Sequence, residues 1–235
     1  MHLPVGQGHR DSHLIIKICG IRSEEHLRTA IQAGANAIGL MQVPSSSRYI
    51  SIEEATMLRQ LIGSKAADGL KPTAAPIIAV VVVADPSEPD MQQIINTVKP
   101  DMIQFHGSES EDFCQSFATP YIKAIQATSS DSIQEAATQY PSAAYLLLDT
   151  PISSQGEAAH SIAGGSGKVF DWSIIPDALA ARLIIAGGLN AENVSELLKV
   201  VQPAGVDVSS GVEDKPGIKS NLKIQEFVAA ARGGE

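Results

Sequence analysis

Polar side chains occur in pairs, two residues apart, at the ends of three apolar runs in this sequence. The pairs are Lys17 with Cys19, Gln104 with His106, and Asp207 with Ser209. Residues i and i+2 of a β-strand point to the same face, so each pair can face one cavity. Packing does not explain such pairs, because burying polar groups among apolar ones costs free energy. We interpret them as candidate ligand contacts, although Gln104 and His106 could equally be hydrogen-bonded residues with a structural role.

Cys19 and Asp149 are the residues best suited to proton transfer. A nearby ammonium such as that of Lys17 favours the thiolate form of a cysteine. Asp149 ends the apolar run 145–148. A thiolate and a carboxyl group on two sides of a substrate form a general base and a general acid. The alternatives are a small buried side chain for Cys19 and a turn residue before Thr150-Pro151 for Asp149.

Eight apolar or β-branched runs alternate with amphipathic helical patterns along the chain. The predicted strands are Leu14–Cys19, Ala37–Met41, Ile77–Val83, Met102–Phe105, Tyr121–Ile125, Tyr145–Leu148, Leu183–Ala186 and Val206–Val208. This alternation over 235 residues predicts an α/β fold, a closed parallel (β/α)8 TIM barrel in one domain. We expect the barrel over residues 14–235 and a flexible N-terminal segment over residues 1–13. A doubly wound open sheet is the alternative, although no Gly-x-Gly-x-x-Gly follows the first strand.

Start signals precede several of the helical patterns. Ser51-x-x-Glu54 predicts a capping box, and Asp85 and Asn190 are predicted N-caps of the helices that follow them. The long irregular stretch Thr150–Trp172 predicts a loop with a function.

In such a barrel the active site lies at the carboxyl ends of the strands, where strands one and six face each other roughly across the mouth. The loops after strands seven and eight commonly bind phosphate. Here these loops carry two turns, with Gly187 and Gly188 in the first and Ser209, Ser210 and Gly211 in the second. Glycine lets backbone N–H groups approach an anion closely. Each turn alone could be only a tight turn, but together they predict a phosphate site.

Arg48 lies in the run Ser45–Tyr49 after the second strand. It could be a solvated loop charge, or its planar guanidinium could bind a substrate carboxylate.

Composition excludes several classes of function. The formal net charge is −9 without a Lys/Arg cluster, which argues against nucleic-acid binding. No apolar run is long enough to cross a membrane, and residues 1–13 lack a secretory signal. The two cysteines suit a reducing compartment, and no spacing resembles a metal site. We therefore expect a cytoplasmic enzyme, monomeric or homodimeric, that binds a small phosphorylated molecule without metal or cofactor.

These residues lie in motifs that resemble those of the phosphoribosylanthranilate isomerases of tryptophan biosynthesis. The motifs, in family order, are Lys17–Ile21, Ser47–Ser51, Asp101–Gly107, Leu147–Asp149, Gly164–Lys168 with Phe170–Trp172, Ala186–Asn190 and Val206–Glu213. The sequence departs from the family in two places. Residues 40–44 are Leu-Met-Gln-Val-Pro, where the family usually has aromatic residues, and residues 46–48 are Ser-Ser-Arg, where the family usually has Ser-Pro-Arg.

The resemblance implies an Amadori rearrangement of a phosphoribosyl aminoaldose into an aminoketose. It also implies a role for each matching residue. Asp149 would be the general acid and Cys19 the general base. Arg48 would hold the anthranilate carboxylate, His106 and Asp207 would line the sugar pocket, and the two glycine turns would hold the phosphate. No cofactor is needed, because the substrate amine is the electron sink.

Two alternatives accompany this interpretation. The first is another phosphate-binding barrel enzyme. The sugar isomerase of histidine biosynthesis uses two aspartates, whereas the first strand here ends in Cys19, and indole-glycerol-phosphate synthase uses lysines and a glutamate. A non-catalytic or relaxed-specificity paralogue that binds a related phosphorylated sugar is the other. A protein that only binds its ligand would have no use for both Cys19 and Asp149.

Overall fold

The computed structural model of the chain describes residues 14–63, 76–126, 128–149 and 172–233. The predicted flexible segment 1–13, the motif Gly164–Lys168 and almost all of the predicted loop Thr150–Trp172 lie outside the described residues.

Eight parallel strands close into a barrel in chain order, with the first beside the eighth. They are β1 (Ile15–Cys19), β2 (Ala37–Met41), β3 (Ile78–Val83), β4 (Met102–Phe105), β5 (Tyr121–Gln126), β6 (Tyr145–Asp149), β7 (Leu183–Ile185) and β8 (Gly205–Val208). The predicted barrel is confirmed, and each strand begins and ends within one residue of its predicted bounds. Continuous apolar runs form these strands because both faces of a parallel barrel strand are covered.

Helices follow the strands on the outside of the barrel. They are α1 (Glu24–Ala33), α2 (Ile52–Gly63), α3 (Glu88–Val98), α4 (Glu111–Gln115), α5 (Ser130–Gln139), α6 (Asp177–Ala180), α7 (Val194–Val200) and α8 (Asn221–Ala231). The predicted capping box begins α2, where the Ser51 and Glu54 side chains each accept the other residue's backbone N–H. Among the described residues, no helix is long and apolar enough to cross a membrane.

Two predicted helix starts are wrong by two or three residues. Ser87, not Asp85, caps α3, because the Asp85 carboxylate instead accepts the backbone N–H of Ser108 in a neighbouring loop. Asn190 caps a turn rather than α7, whose N-cap is Asn193. An Asp or Asn side chain can accept hydrogen bonds from the backbone of a loop as well as from the start of a helix, and the sequence does not show which of the two it does.

The core has two parts, separated by the barrel wall. The larger part packs the helices against the outward-facing strand residues, such as Ile18, Leu40 and Val81. The smaller part contains the alternate strand residues, such as Ile15, Val80 and Leu147. Because side chains alternate along a strand, the polar pairs have the same parity as this inner set and point into the barrel.

A short hairpin after β8 was not predicted. A single 3-10 turn (Ser210–Val212) leads into β9 (Glu213–Lys215) and β10 (Ile218–Lys219), which pair antiparallel. The hairpin places two charged side chains, Glu213 and Lys219, in buried positions next to the barrel mouth.

Candidate active site

A cavity of about 430 Å³ lies at the carboxyl ends of the strands. Its walls come from β1, β2, β4, β5, β6 and β8 and from the loops after β2, β4, β7 and β8. The lining residues are Cys19, Met41, Arg48, Gln104, His106, Gln126, Leu147, Asp149, Ala186, Gly187, Gly188, Leu189, Asp207, Val208, Ser209 and Ser210. All the predicted site residues therefore meet at this cavity except Lys17 and Gly211.

Cys19 lies on the β1 wall of the cavity and is 4% exposed. Burial raises the pKa of its thiol, and the neighbouring Lys17 ammonium opposes this rise without cancelling it. Lys219, a buried residue of the hairpin, also acts to lower the pKa of the thiol. Burial and the nearby Asp207 carboxylate thus raise the pKa of the thiol, the two cations lower it, and the net shift is upward.

Lys17 lies below the cavity and is completely buried. The β1–β8 register places it opposite Asp207, and its Nζ donates to Asp207 Oδ1 at 2.9 Å. Burial lowers the pKa of Lys17, but Asp207 and Cys19 raise it by more, so the group stays charged. Lys17 therefore does not line the cavity, and its neighbours in the structure are Asp207 and Cys19.

Gln104, His106 and Asp149 form a hydrogen-bonded chain on the wall facing Cys19. Gln104 Nε2 lies 2.9 Å from His106 Nδ1, and an amide nitrogen can only donate. His106 therefore carries its proton on Nε2, which donates to Asp149 Oδ2 at 3.3 Å. The Asp149 side chain is 41% exposed, so it is accessible from the mouth.

One polar atom at the cavity is left without a partner. Gln104 is 1% exposed, yet its Oε1 has no hydrogen-bond partner in the described parts of the chain. An unsatisfied buried carbonyl costs free energy, and a hydroxyl group of a ligand would supply the missing donor.

The two predicted phosphate turns lie side by side at the mouth. A Cβ at Gly211 would overlap the carbonyl oxygen of Leu189, so only glycine permits this approach of the two loops. Gly211 itself does not line the cavity, but it holds Ser209 and Ser210 next to Gly187 and Gly188. A Cβ at Gly188 would meet no atom within 4 Å, so this part of the backbone borders open space.

Arg48 is not a solvated loop charge. Its Nε and Nη2 donate to the two carboxylate oxygens of Glu213 at 2.7 and 2.8 Å. In the segment that departs from the family pattern, the Gln42 side chain turns to donate to Ile50 O at 2.8 Å, while Met41 lines the cavity.

Sequence reasoning missed three polar residues near the cavity. Glu213 ends the last of the resembling motifs but was given no role, and Lys219 lies in a hairpin that has no strand periodicity. Gln126 lies one residue beyond the predicted end of β5, and only the rule that strand ends form the site could have found it.

Comparisons with known proteins agree over nearly the whole chain. A family model described as N-(5'phosphoribosyl)anthranilate (PRA) isomerase matches residues 16–230. The N-(5'-phosphoribosyl)anthranilate isomerase of Legionella pneumophila (strain Corby) is 39% identical over 222 residues, which cover 94% of this chain and 99% of the relative.

Two solved structures extend the similarity to the fold. The phosphoribosyl anthranilate isomerase of Thermotoga maritima has a TM-score of 0.76 at 33% identity and covers 94% of this chain and 99% of its own. A phosphoribosyl anthranilate isomerase in complex with reduced 1-(o-carboxyphenylamino)-1-deoxyribulose 5-phosphate has a TM-score of 0.72 at 30% identity, with the same coverage.

Proposed function

This chain belongs to the family of N-(5'-phosphoribosyl)anthranilate isomerases, and we propose that it isomerises N-(5'-phosphoribosyl)anthranilate in tryptophan biosynthesis. The product is 1-(o-carboxyphenylamino)-1-deoxyribulose 5-phosphate. The reaction is an internal aldose–ketose redox exchange, in which C1′ is reduced and C2′ is oxidised. The observation that carries the proposal is the meeting of Cys19, Asp149 and the two phosphate turns at one cavity.

Ring opening is the first step, and Asp149 is its general acid. Protonated Asp149 gives its proton to the ring oxygen as the C1′–O bond breaks, and the amine lone pair forms a C1′=N bond. His106 donates its Nε2 proton to Asp149 Oδ2, which leaves Oδ1 to carry the transferred proton. General acid catalysis of this kind contributes about 10²- to 10⁴-fold to a rate.

Proton removal at C2′ is the second step, and Cys19 is its general base. The thiolate takes the proton, the C2′–H electron pair forms a C1′=C2′ double bond, and the nitrogen recovers its lone pair. The resulting enolamine becomes the aminoketose when C1′ gains a proton and the C2′ hydroxyl loses one. The nitrogen supplies its lone pair in the first step and takes it back in the second, so the scheme requires no cofactor.

Binding uses the remaining residues of the cavity. Backbone N–H groups at Gly187, Gly188, Ser209 and Ser210 hold the phosphate, and Arg48 holds the anthranilate carboxylate. Gln104 Oε1 accepts a hydrogen bond from a hydroxyl group of the sugar, which satisfies the atom left unpaired. Asp207 borders the same sugar pocket and keeps Lys17 beneath Cys19.

The direct test is turnover of N-(5'-phosphoribosyl)anthranilate by the purified protein, followed by the fluorescence change on conversion. Turnover by the wild-type chain supports the proposal. Binding of the phosphorylated substrate without turnover would instead favour the non-catalytic paralogue.

Replacing Lys17 is expected to move the pH dependence of kcat/KM. Activity that needs the Cys19 thiolate rises with pH through the pKa of the thiol, and burial already holds that pKa above its ordinary value. In Lys17→Met the pKa rises further, because the opposing ammonium is gone. The rising limb of the pH–rate profile should therefore move to higher pH.

A second variant, Lys17→Met with Asp207→Asn, removes both members of the buried pair and leaves no uncompensated charge. The rising limb of its pH–rate profile should also lie at higher pH than that of the wild type, because Lys17 lowers the pKa of Cys19 by more than Asp207 raises it. A limb that stays in place in both variants would show that Lys17 does not act on the base.

Gly211→Ala is expected to weaken phosphate binding. The new methyl group collides with the Leu189 carbonyl oxygen, so the two phosphate turns must move apart. We expect the Kd of reduced 1-(o-carboxyphenylamino)-1-deoxyribulose 5-phosphate to rise about tenfold, within the usual cost of overpacking. Calorimetric titration measures this, and Gly233→Ala is the control for a strained glycine substitution away from the cavity, because its φ is +77° but a Cβ there meets no atom within 4 Å. Equal affinity in both variants would contradict the role of the Gly211 contact.

A further inference from the structure

The Glu213 carboxylate is shared by two cations at the edge of the cavity. It accepts from Arg48 Nε and Nη2 at 2.7 and 2.8 Å and from Lys219 Nζ at 2.9 Å. The Glu213 side chain is 5% exposed and that of Lys219 is 1% exposed. These three residues, called here the Glu213 cluster, connect the loop after β2 to the hairpin after β8.

The hydrogen bonds use only one edge of the guanidinium. Glu213 occupies the edge formed by Nε and Nη2, and it leaves the edge formed by Nη1 and the second Nη2 proton for another acceptor. Arg48 lines the cavity, so a ligand there can reach the side chain. A planar guanidinium can bind two carboxylates at once, one on each edge.

The aliphatic part of Arg48 is held as well. Gly20 has a φ of +78°, and a Cβ there would lie 2.7 Å from Arg48 Cδ. The side chain therefore crosses directly over the turn that follows Cys19. With its stem against Gly20 and its head on Glu213, Arg48 has little rotational freedom left to lose on binding a ligand.

We propose that Glu213 is the positioning residue that fixes Arg48 for the anthranilate carboxylate and thereby sets specificity for an ortho-carboxylated amine. This inference rests on the proposed function and deepens it. Glu213 does not line the cavity, so it acts through Arg48 and not by touching the substrate.

The charge of the Glu213 cluster supports this role. Burial raises the pKa of Glu213, but hydrogen bonds from Arg48 and Lys219 outweigh it and hold the pKa below its ordinary value. Lys219 Nζ donates to Ser209 O, Ser209 Oγ and Glu213 Oε1, which uses the three protons of an ammonium. Burial lowers the pKa of Lys219, and its hydrogen bond to Glu213 opposes this fall. With two basic side chains to one carboxylate, the cluster attracts a further carboxylate.

Lys219 also extends the cluster to the phosphate turn. Its hydrogen bond to Ser209 O is 2.8 Å long, and Ser209 Oγ donates to Cys19 O at 3.3 Å. The carboxylate end and the phosphate end of the substrate would thus be held by one buried network, which fixes their separation.

The test is a double-mutant cycle of Glu213→Gln with Arg48→Ala, assayed on two substrates. The substrates are N-(5'-phosphoribosyl)anthranilate and N-(5'-phosphoribosyl)aniline, which lacks the carboxylate. For the first, Glu213→Gln should raise KM about tenfold, the loss expected when a charge-assisted hydrogen bond is weakened, while kcat changes less than about threefold. For the second, kcat/KM should change less than about twofold, because no carboxylate needs Arg48.

In the Arg48→Ala background Glu213→Gln should have almost no further effect on KM. Glu213→Asp, which keeps the charge on a shorter side chain, should lie between wild type and Glu213→Gln. Glu196→Gln, which removes an exposed carboxylate paired with Lys199, is the matched control and should behave as wild type.

Three outcomes would overturn the inference. An equal loss on both substrates would mean that Glu213 only supports the fold. A lower KM in Glu213→Gln would mean that Glu213 competes with the substrate for Arg48. If the wild type converts N-(5'-phosphoribosyl)anthranilate and Arg48→Ala weakens binding but Glu213→Gln does not, the inference alone fails. Absence of wild-type turnover would instead refute the proposed function.

Discussion

Asp149→Asn is expected to lower kcat about 10²- to 10⁴-fold, the usual contribution of a general acid. The amide has the same shape as the carboxyl group, and its oxygen can still accept a hydrogen bond from His106 Nε2. It has no acidic proton to give to the ring oxygen, so the furanose opens slowly. KM should stay within about threefold of the wild-type value, because the phosphate and carboxylate contacts are unchanged.

Steady-state fluorescence assays on wild type and Asp149→Asn measure this effect. The control is Asp177→Asn, an aspartate at the start of α6 that does not line the cavity, and it should leave kcat unchanged. A loss confined to KM would contradict the assignment, since it would make Asp149 a binding residue and not an acid.

Cys19→Ser is expected to lower kcat by about 10²- to 10⁴-fold as well. A serine hydroxyl is a far weaker acid than a thiol, so almost no alkoxide is present to remove the C2′ proton near neutral pH. The substituted side chain is nearly isosteric, and binding of the product analogue should therefore survive. The same fluorescence assay, together with calorimetric titration of the analogue, separates the two effects.

The chain offers a matched control in its other cysteine. Cys114 lies on α4, fully buried in the core, where burial raises the pKa of its thiol to about 12. Cys114→Ser should lower thermal stability and leave kcat unchanged. If Cys114→Ser reduced kcat as strongly as Cys19→Ser, the loss would reflect the fold and not a missing base.

Strand positions and the inward-facing pairs were predictable because they follow from local patterns. Apolar runs mark the strands, and the i, i+2 rule places Cys19 and Gln104 on the inner face. The same rule says nothing about depth along the barrel axis. It therefore did not reveal that Lys17 lies one layer below the mouth, where the register of β1 with β8 pairs it with Asp207.

The partners of the site residues were harder to predict than the site residues themselves. Arg48 and Glu213 are 165 positions apart, and Glu213 belongs to a hairpin too short to have a periodic pattern. The same difficulty affected the predicted start of α3, because the Asp85 carboxylate accepts the backbone N–H of Ser108 on another loop and does not cap the helix. Long-range pairing of polar groups depends on the finished fold, and one sequence read locally does not contain it.

A crystal structure of the wild-type protein with reduced 1-(o-carboxyphenylamino)-1-deoxyribulose 5-phosphate is the most direct test of this account. We expect Cys19 Sγ next to the second carbon of the ribulose chain and the Asp149 carboxyl group, on the opposite wall, next to the oxygen on the fourth carbon, which is the former ring oxygen. The phosphate should lie against Gly188 and Ser210. An analogue bound with its phosphate elsewhere, or with either side chain turned away from the atom on which it acts, would contradict the account.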